Sequence, residues 1–182
     1  MILETDRLIL RPWKEADAEE CFRYASDPAV GPMAGWPPHA DREETQRVIR
    51  DVLSVPENYA VVWKETGLPV GSAGIALRGG LVRGEKEGEL GYWVGKPYWG
   101  RGIAPEASRV LLQHAFEDLG LERVWCGYFE GNRKSEKVQR KVGFRHVRTD
   151  EDVDVPQLGE KRRLHVSCMT REEWLENGRI VP

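Results

Sequence analysis

The stretch PYWGRGIAPEASRVLL, Pro97 to Leu112, constrains this chain more than any other. An apolar run, GELGYWV, leads into two closely spaced glycines, and an amphipathic pattern leads out. The spacing of Ala107, Val110, Leu111, His114, Ala115 and Leu119 predicts a helix after Gly102 that ends at Gly120. Strand, glycine loop and helix in this order make an anion site. Gly100 and Gly102 put no side chain in a ligand's way and permit positive φ. The first helical turn offers free N–H groups and the positive end of the helix dipole. Pro105 removes one donor but fits a first turn. A tight strand-to-helix connection that binds nothing is the alternative on this loop alone.

Neither familiar phosphate loop fits. Gly95 and Gly100 have P-loop spacing, but Arg101 and Gly102 follow where Lys and a hydroxyl residue are needed, so no magnesium ligand is supplied. Gly100 and Gly102 begin a dinucleotide fingerprint, but Pro105 stands at its third glycine and the loop lies past mid-chain.

The rest of the chain frames the loop. Arg7–Trp13 reads as a strand and Lys14–Ala25 as a helix, followed by a Pro- and Gly-rich loop from Asp27 to Asp41. Asp41 with Glu44 forms a capping box for a helix reaching about Leu53. Strands are expected at Tyr59–Lys64, Pro69–Leu77 and Glu87–Gly95, then at Glu122–Phe129, Phe144–Arg148 and Arg163–Met169. A short helix spans Ser135–Lys141, an acidic loop separates the last two strands, and Thr170 with Glu173 caps a terminal helix. The expected architecture is one α+β domain over residues 1–182, a mixed sheet with helices on its faces. At 182 residues, with 40% hydrophobic and 31% charged residues, a sizeable core is available. A net charge of -3 argues against a nucleic-acid binder. Three scattered cysteines, Cys21, Cys126 and Cys168, point to reduced thiols and a cytoplasmic setting. The charged start is no signal peptide, no run approaches the ~20 apolar residues of a membrane span, and the four histidines lack metal spacing.

WGRGIA, Trp99 to Ala104, resembles the acyl-CoA loop of the Gcn5-related N-acetyltransferases, [RQ]-x-x-G-x-[GA]. Gly102 and Ala104 match, and Trp99 replaces the usual Arg or Gln. That departure, with Gly91, Tyr92, Trp93, Pro97, Tyr98, Gly100, Glu106 and Ala107, resembles the ribosomal-protein N-terminal acetyltransferase (Rim) branch. Asn132 to Phe144 resembles the family's N-x-x-[SA]-x-x-x-x-x-K-x-G-F, matching at Asn132, Ser135, Lys141, Gly143 and Phe144. The opening Thr5–Arg11, TDRLILR, is also common in the branch. The resemblance spans nearly the whole chain. It implies the acyl-CoA N-acyltransferase fold, a mostly antiparallel sheet of six to seven strands with helices on both faces.

It also implies acetyl transfer from acetyl-CoA to a primary amine, without a metal. The strand Tyr92–Val94, through Trp93, is expected to splay from its neighbour and pair with the pantetheine arm, with a backbone N–H near Val94 facing the thioester. Gly100, Arg101, Gly102, Ile103, Ala104 and Pro105 are expected to hold the pyrophosphate, and Asn132 to bond the arm or help position its thiol end. Lys96, Arg101, Arg133, Lys134 and Lys137 cluster around the two motifs, for the ribose phosphate or as solvated charges. Glu89, five residues before Val94, is the candidate base, acting through water if burial raises its pKa, or else a solvated edge carboxylate. The family's frequent acid, a Tyr seven residues after the Asn, is Gln139 here, which leaves Ser135 as the candidate acid or as a hydroxyl satisfying the helix N-terminus. Glu106 is expected to cap its helix and compensate the dipole. The acceptor is a protein or peptide α-amine; a polyamine, an antibiotic amine, or an acyl-CoA sensor with weak catalysis are the alternatives. An acidic rim at Asp150–Glu160 favours a cationic acceptor, and Trp36 is a candidate lid. Both monomer and homodimer are compatible with the sequence.

Overall fold

The computed structural model describes residues 1–176. Eight strands form one sheet: β1 (Leu3–Glu4), β2 (Leu8–Arg11), β3 (Asn58–Trp63), β4 (Leu68–Ala76), β5 (Glu87–Val94), β6 (Arg123–Phe129), β7 (Arg145–Val155) and β8 (Glu160–Thr170). Their spatial order is β1-β2-β3-β4-β5-β6-β8-β7. Every neighbouring pair is antiparallel except β5 with β6. Parallel neighbours require a crossover, and the predicted helix after Gly102 supplies it as α4 (Ile103–Gln113), extended by a wider turn over His114–Asp118. The remaining helices are α1 (Ala18–Ala25), α2 (Gly31–Ala34), α3 (Arg42–Val48, continued by a wide turn to Leu53), α5 (Arg133–Val142) and α6 (Arg171–Glu176).

Strand alternation divides the core between two faces. Leu8, Leu10, Val61, Leu90, Val124 and Met169 pack with Ile103, Leu111 and Val142 on the α4–α6 side. Trp13, Ala60 and Val62 pack with Cys21, Ala25 and Ile49 on the α1–α3 side. The buried faces recur at every second strand residue, as a pleated sheet covered on both sides demands. The α+β class and the helices on both faces are thus as expected.

Three elements differ from expectation. The sheet has eight strands, because the two-residue β1 is too short to carry a periodic signal. The segment Asp27–Asp41 contains α2, whose first turn accommodates Pro32 and whose end is closed by Gly35 at φ 95°. The acidic loop expected at Asp150–Glu160 is instead the tip of a long β7–β8 hairpin paired from Arg145↔Cys168 to Val155↔Glu160. Arg148–Asp150, Arg163–Glu151, Lys161–Asp154 and Arg162–Glu160 ion pairs tie most of its carboxylates to bases on the same hairpin. Period-two runs of charge hide a strand from a hydrophobicity reading. All three cysteines are buried thiols; burial pushes Cys21 up to about 12 and Cys168 up to about 11. No helix among the described residues is long and apolar enough to cross a membrane.

Candidate active site

The seam between β5 and β6 opens part way along the sheet. The two strands pair only at Glu87↔Arg123, Gly88↔Val124 and Glu89↔Trp125. Beyond that point β5 follows β4 to Val94 and β6 follows β8 to Phe129. The backbone of Leu90–Val94 therefore has a free edge, and a cleft of about 1150 Å³ runs through the gap. On the α4–α5 side the cleft is lined by Gly100, Gly102, Ile103, Ala104, Pro105, Lys134, Ser135 and Lys137; on the other side by Met33, Trp36, His39, Val48 and Phe129. Trp93, Val94, Asn132 and Glu89 also line it. Among the residues expected to hold the pyrophosphate, Arg101 alone is not part of the lining: its guanidinium lies over the Tyr98 ring, 5.4 Å from the centroid.

The glycine loop has the geometry its sequence requires. Gly100 and Gly102 have φ of 75° and 78°. Gly102 caps α4 in a left-handed conformation with no side-chain bond to the helix, so first-turn N–H groups stay open to an anion. Trp99 does not reach for a ligand. Its indole N–H donates to the Val94 carbonyl at 2.7 Å, and Lys134 Nζ sits 3.7 Å over its ring. It pins the loop to β5 and α5. The opening motif pins the loop from behind. Glu106 accepts from Thr5 Oγ1 at 2.5 Å and from Arg7 Nε at 2.8 Å, and Arg7 Nη1 donates to the Arg101 carbonyl at 3.0 Å. Burial pushes the Glu106 carboxyl up, but Thr5 and Arg7 outweigh it and hold it below its ordinary value. Glu106 stands in the first turn as expected but does not cap the helix: its carboxylate is taken by Thr5 and Arg7, long-range partners that were not legible. Of the expected basic cluster, Lys134 and Lys137 line the cleft, joined by Lys141, whereas Lys96 lies 4.0 Å from Asp27.

Asn132 caps α5, its Oδ1 accepting from the Ser135 N–H at 3.1 Å, while its Nδ2 donates to the Met33 carbonyl at 3.2 Å. The cap is therefore Asn132 and not Ser135. Ser135 Oγ is left to side chains: Tyr92 Oη lies at 3.0 Å, and Gln139 Nε2 donates to it at 3.4 Å. An amide N–H can only donate. Tyr92 Oη also donates to the Ser135 carbonyl at 3.3 Å, so in the contact between the two hydroxyls either one can be the donor. Burial pushes the Tyr92 phenol up and keeps it protonated. Gln139, at the position where the family's Tyr is expected, thus orients Ser135. The contribution of Tyr92, 43 residues away in sequence, had no signal in spacing.

On the opposite face of β5, Glu89, Gly91 and Trp93 alternate with Leu90, Tyr92 and Val94. A side chain at Gly91 would meet nothing within 4 Å, so the cleft floor is open there. Trp93 forms one wall, with Trp13 stacked 6.4 Å and Trp36 edge-on 5.8 Å away. Trp36 is a packed wall, wedged against the backbone of Gly31, and not a loose lid. Glu89 is no solvated edge residue. It is largely buried, its carboxylate accepts from the Leu81 N–H at 2.7 Å, and burial raises its pKa against the pull of that N–H and of Arg83.

A cleft between two parting strands, with an anion-binding helix start on one side and a buried carboxylate on the other, suits a phosphate-bearing acyl donor meeting an amine. Comparison with known proteins agrees. The model of the acetyltransferase (GNAT) domain matches residues 7–145. An uncharacterised N-acetyltransferase of Bacillus licheniformis, p20, is 29% identical over 147 residues, covering 78% of this chain and 81% of its own. A GNAT-family acetyltransferase from Bacillus anthracis superposes with a TM-score of 0.83 at 22% identity, over 94% of this chain and 99% of that one. The ribosomal-protein-S5-alanine acetyltransferase from Vibrio fischeri superposes with a TM-score of 0.75 at 20% identity, over 96% and 98%. The chain belongs to the GNAT family, as an N-acetyltransferase of the kind that takes acetyl-CoA as co-substrate and an amine as acceptor.

Proposed function

We propose that this enzyme acetylates the α-amine of a protein or peptide, by direct attack on acetyl-CoA in a ternary complex. The observation that carries the reading is the parting of β5 from β6 after Glu89↔Trp125, which leaves the Leu90–Val94 edge free beside the glycine loop. In this account the pantetheine arm lies along that edge through Trp93 and Val94, with a backbone N–H near Val94 toward the thioester oxygen. The pyrophosphate rests on Gly100, Gly102, Ile103, Ala104 and Pro105. The Arg101 backbone shapes this cradle while its side chain stays on Tyr98. Asn132 holds the α2 segment and the start of α5 around the arm.

The reaction needs three proton movements. An ammonium must lose a proton before its nitrogen can attack, and the departing thiolate ends as a thiol. Glu89 is the base, working through water, because its buried carboxylate is held by Leu81 and raised toward the working range. Ser135 is the acid, its hydroxyl held at the cleft wall between Tyr92 and Gln139. As the tetrahedral adduct collapses and the C–S bond breaks, the second proton leaves nitrogen and, through water, replaces the one Ser135 gives to sulfur, while Glu89 returns its proton to solvent. The likeness to a ribosomal-protein acetyltransferase in fold supports a protein α-amine as acceptor.

Mass spectrometry of peptides incubated with enzyme and acetyl-CoA tests this. Peptides with a free α-amine are expected to gain one acetyl group there, and α-blocked peptides carrying lysine are expected to gain none. Acetylation confined to polyamines or antibiotic amines contradicts it. Both a monomer and a homodimer are compatible with this reading.

A further inference from the structure

His39 stands in the acceptor half of the cleft and has no role in the chemistry above. Its surroundings favour one tautomer. His39 Nδ1 lies 2.9 Å from Thr45 Oγ1. Thr45 has a single hydroxyl proton, and it is given to the Asp41 carbonyl at 3.1 Å. With the Thr45 proton so placed, Nδ1 donates to Thr45 and Nε2 carries the lone pair. No protein group pairs with Nε2 among the described residues. The ring is held in place: its backbone N–H donates to the Ala25 carbonyl at 3.0 Å, and its face lies 5.4 Å from the Trp36 ring. Burial lowers its pKa, opposed by the Glu44 carboxylate on α3, the one charge acting on it; Trp36 and the Ala25 carbonyl of α1 are uncharged. The imidazole is thus neutral near pH 7.

The walls beside it are Trp36, Met33 and Val48, with Glu44 of α3, whose carboxylate accepts from the Ala40 N–H at 2.6 Å. An acceptor that fills this arm expels water from Nε2. A polar atom buried without a partner is costly, so the favoured acceptor brings its own donor to this atom. We infer that His39 Nε2 recognises a neutral N–H next to the acceptor's amine, the peptide N–H that follows a polypeptide α-amine, and so selects peptides over simple alkylamines. The inference rests on the amine-acceptor reading of the cleft and deepens it to a substrate class. Protonation of His39 at low pH turns Nε2 into a donor facing a donor, so acceptor binding weakens as pH falls through the lowered pKa of this residue.

The test compares binding of the dipeptide amide Ala-Phe-NH₂ with its depsipeptide analogue, in which an ester oxygen replaces that one N–H. Calorimetry on the CoA-bound enzyme reads affinity without turnover. Wild type is expected to bind the amide roughly tenfold to a hundredfold more tightly. His39→Phe keeps a ring against Trp36 and should lose the preference. His39→Gln restores an acceptor and should recover part of it. Equal affinity of the wild-type protein for amide and ester overturns the inference, whatever the variants do; so does an undiminished preference in His39→Phe. Because binding is measured, a wild type that discriminates but never transfers acetyl would refute the transferase mechanism and leave the role of His39 standing.

Discussion

Glu89 and Glu106 are two partly buried carboxylates with opposite pKa directions, so each makes a different prediction. Burial favours the neutral form of Glu89, so the folded state binds its proton more tightly than the unfolded chain does. Stability then rises as pH falls through the raised value, and the ionised carboxylate costs stability at neutral pH. Glu89→Gln, which keeps an acceptor for the Leu81 N–H, should raise Tm in thermal unfolding at neutral pH. The same variant should lower kcat/KM about 10²–10⁴-fold and erase the acid limb of its pH profile. A variant that keeps both activity and limb removes Glu89 from the mechanism. Glu106 runs the other way. Its stabilisation is present above the unfolded pKa and is lost as pH falls through the lowered folded value. Ser135→Ala leaves the Asn132 cap in place, so it should reduce kcat with little change in the KM for acetyl-CoA, as measured by steady-state kinetics. Gly102 was legible from sequence, since only a residue free to take φ near 78° serves there. His39 was not, because its meaning depends on which hydrogen bond Thr45 makes.

The elements around the glycine loop form a clamp, with Thr5 and Arg7 behind α4 and Trp99 joining β5 to α5. Arg7 is partly exposed, so its ion pair is worth little by itself; its effect is to hold the Arg101 carbonyl, and with it the loop. Arg7→Ala should therefore weaken acetyl-CoA binding several-fold by calorimetry while Tm falls only slightly. Unchanged affinity would detach the opening motif from the loop. Most elements could be read from sequence because apolar periodicity and capping residues agree, as for α4 with Gly102, α3 with Asp41 and α6 with Thr170 and Glu173. The β7–β8 hairpin could not. Its strands are held by backbone pairing and alternating ion pairs, which leave no apolar stripe.

Across the whole molecule, the sheet is two blocks, β1 to β5 and β6 with β8 and β7, joined at three residue pairs. In the proposed account the acyl donor and the acceptor enter this opening from opposite faces, with Val94 and Glu89 between. Acidic residues on the hairpin were expected to attract a cationic acceptor, but they lie outside the cleft lining and most are paired with bases. Neutralising Asp150, Asp152 and Asp154 together should therefore leave the acceptor KM unchanged at low and high salt. A salt-dependent rise in KM would return the rim to the account. The central claim is that this cleft transfers acetyl groups and does not merely hold the acyl donor. Its most direct measurement is thiol release from acetyl-CoA across a panel of peptide α-amines, lysine side chains, polyamines and alkylamines. The account predicts turnover that is fastest with peptide α-amines and falls in Ser135→Ala. Tight acetyl-CoA binding with no thiol release for any amine would contradict it.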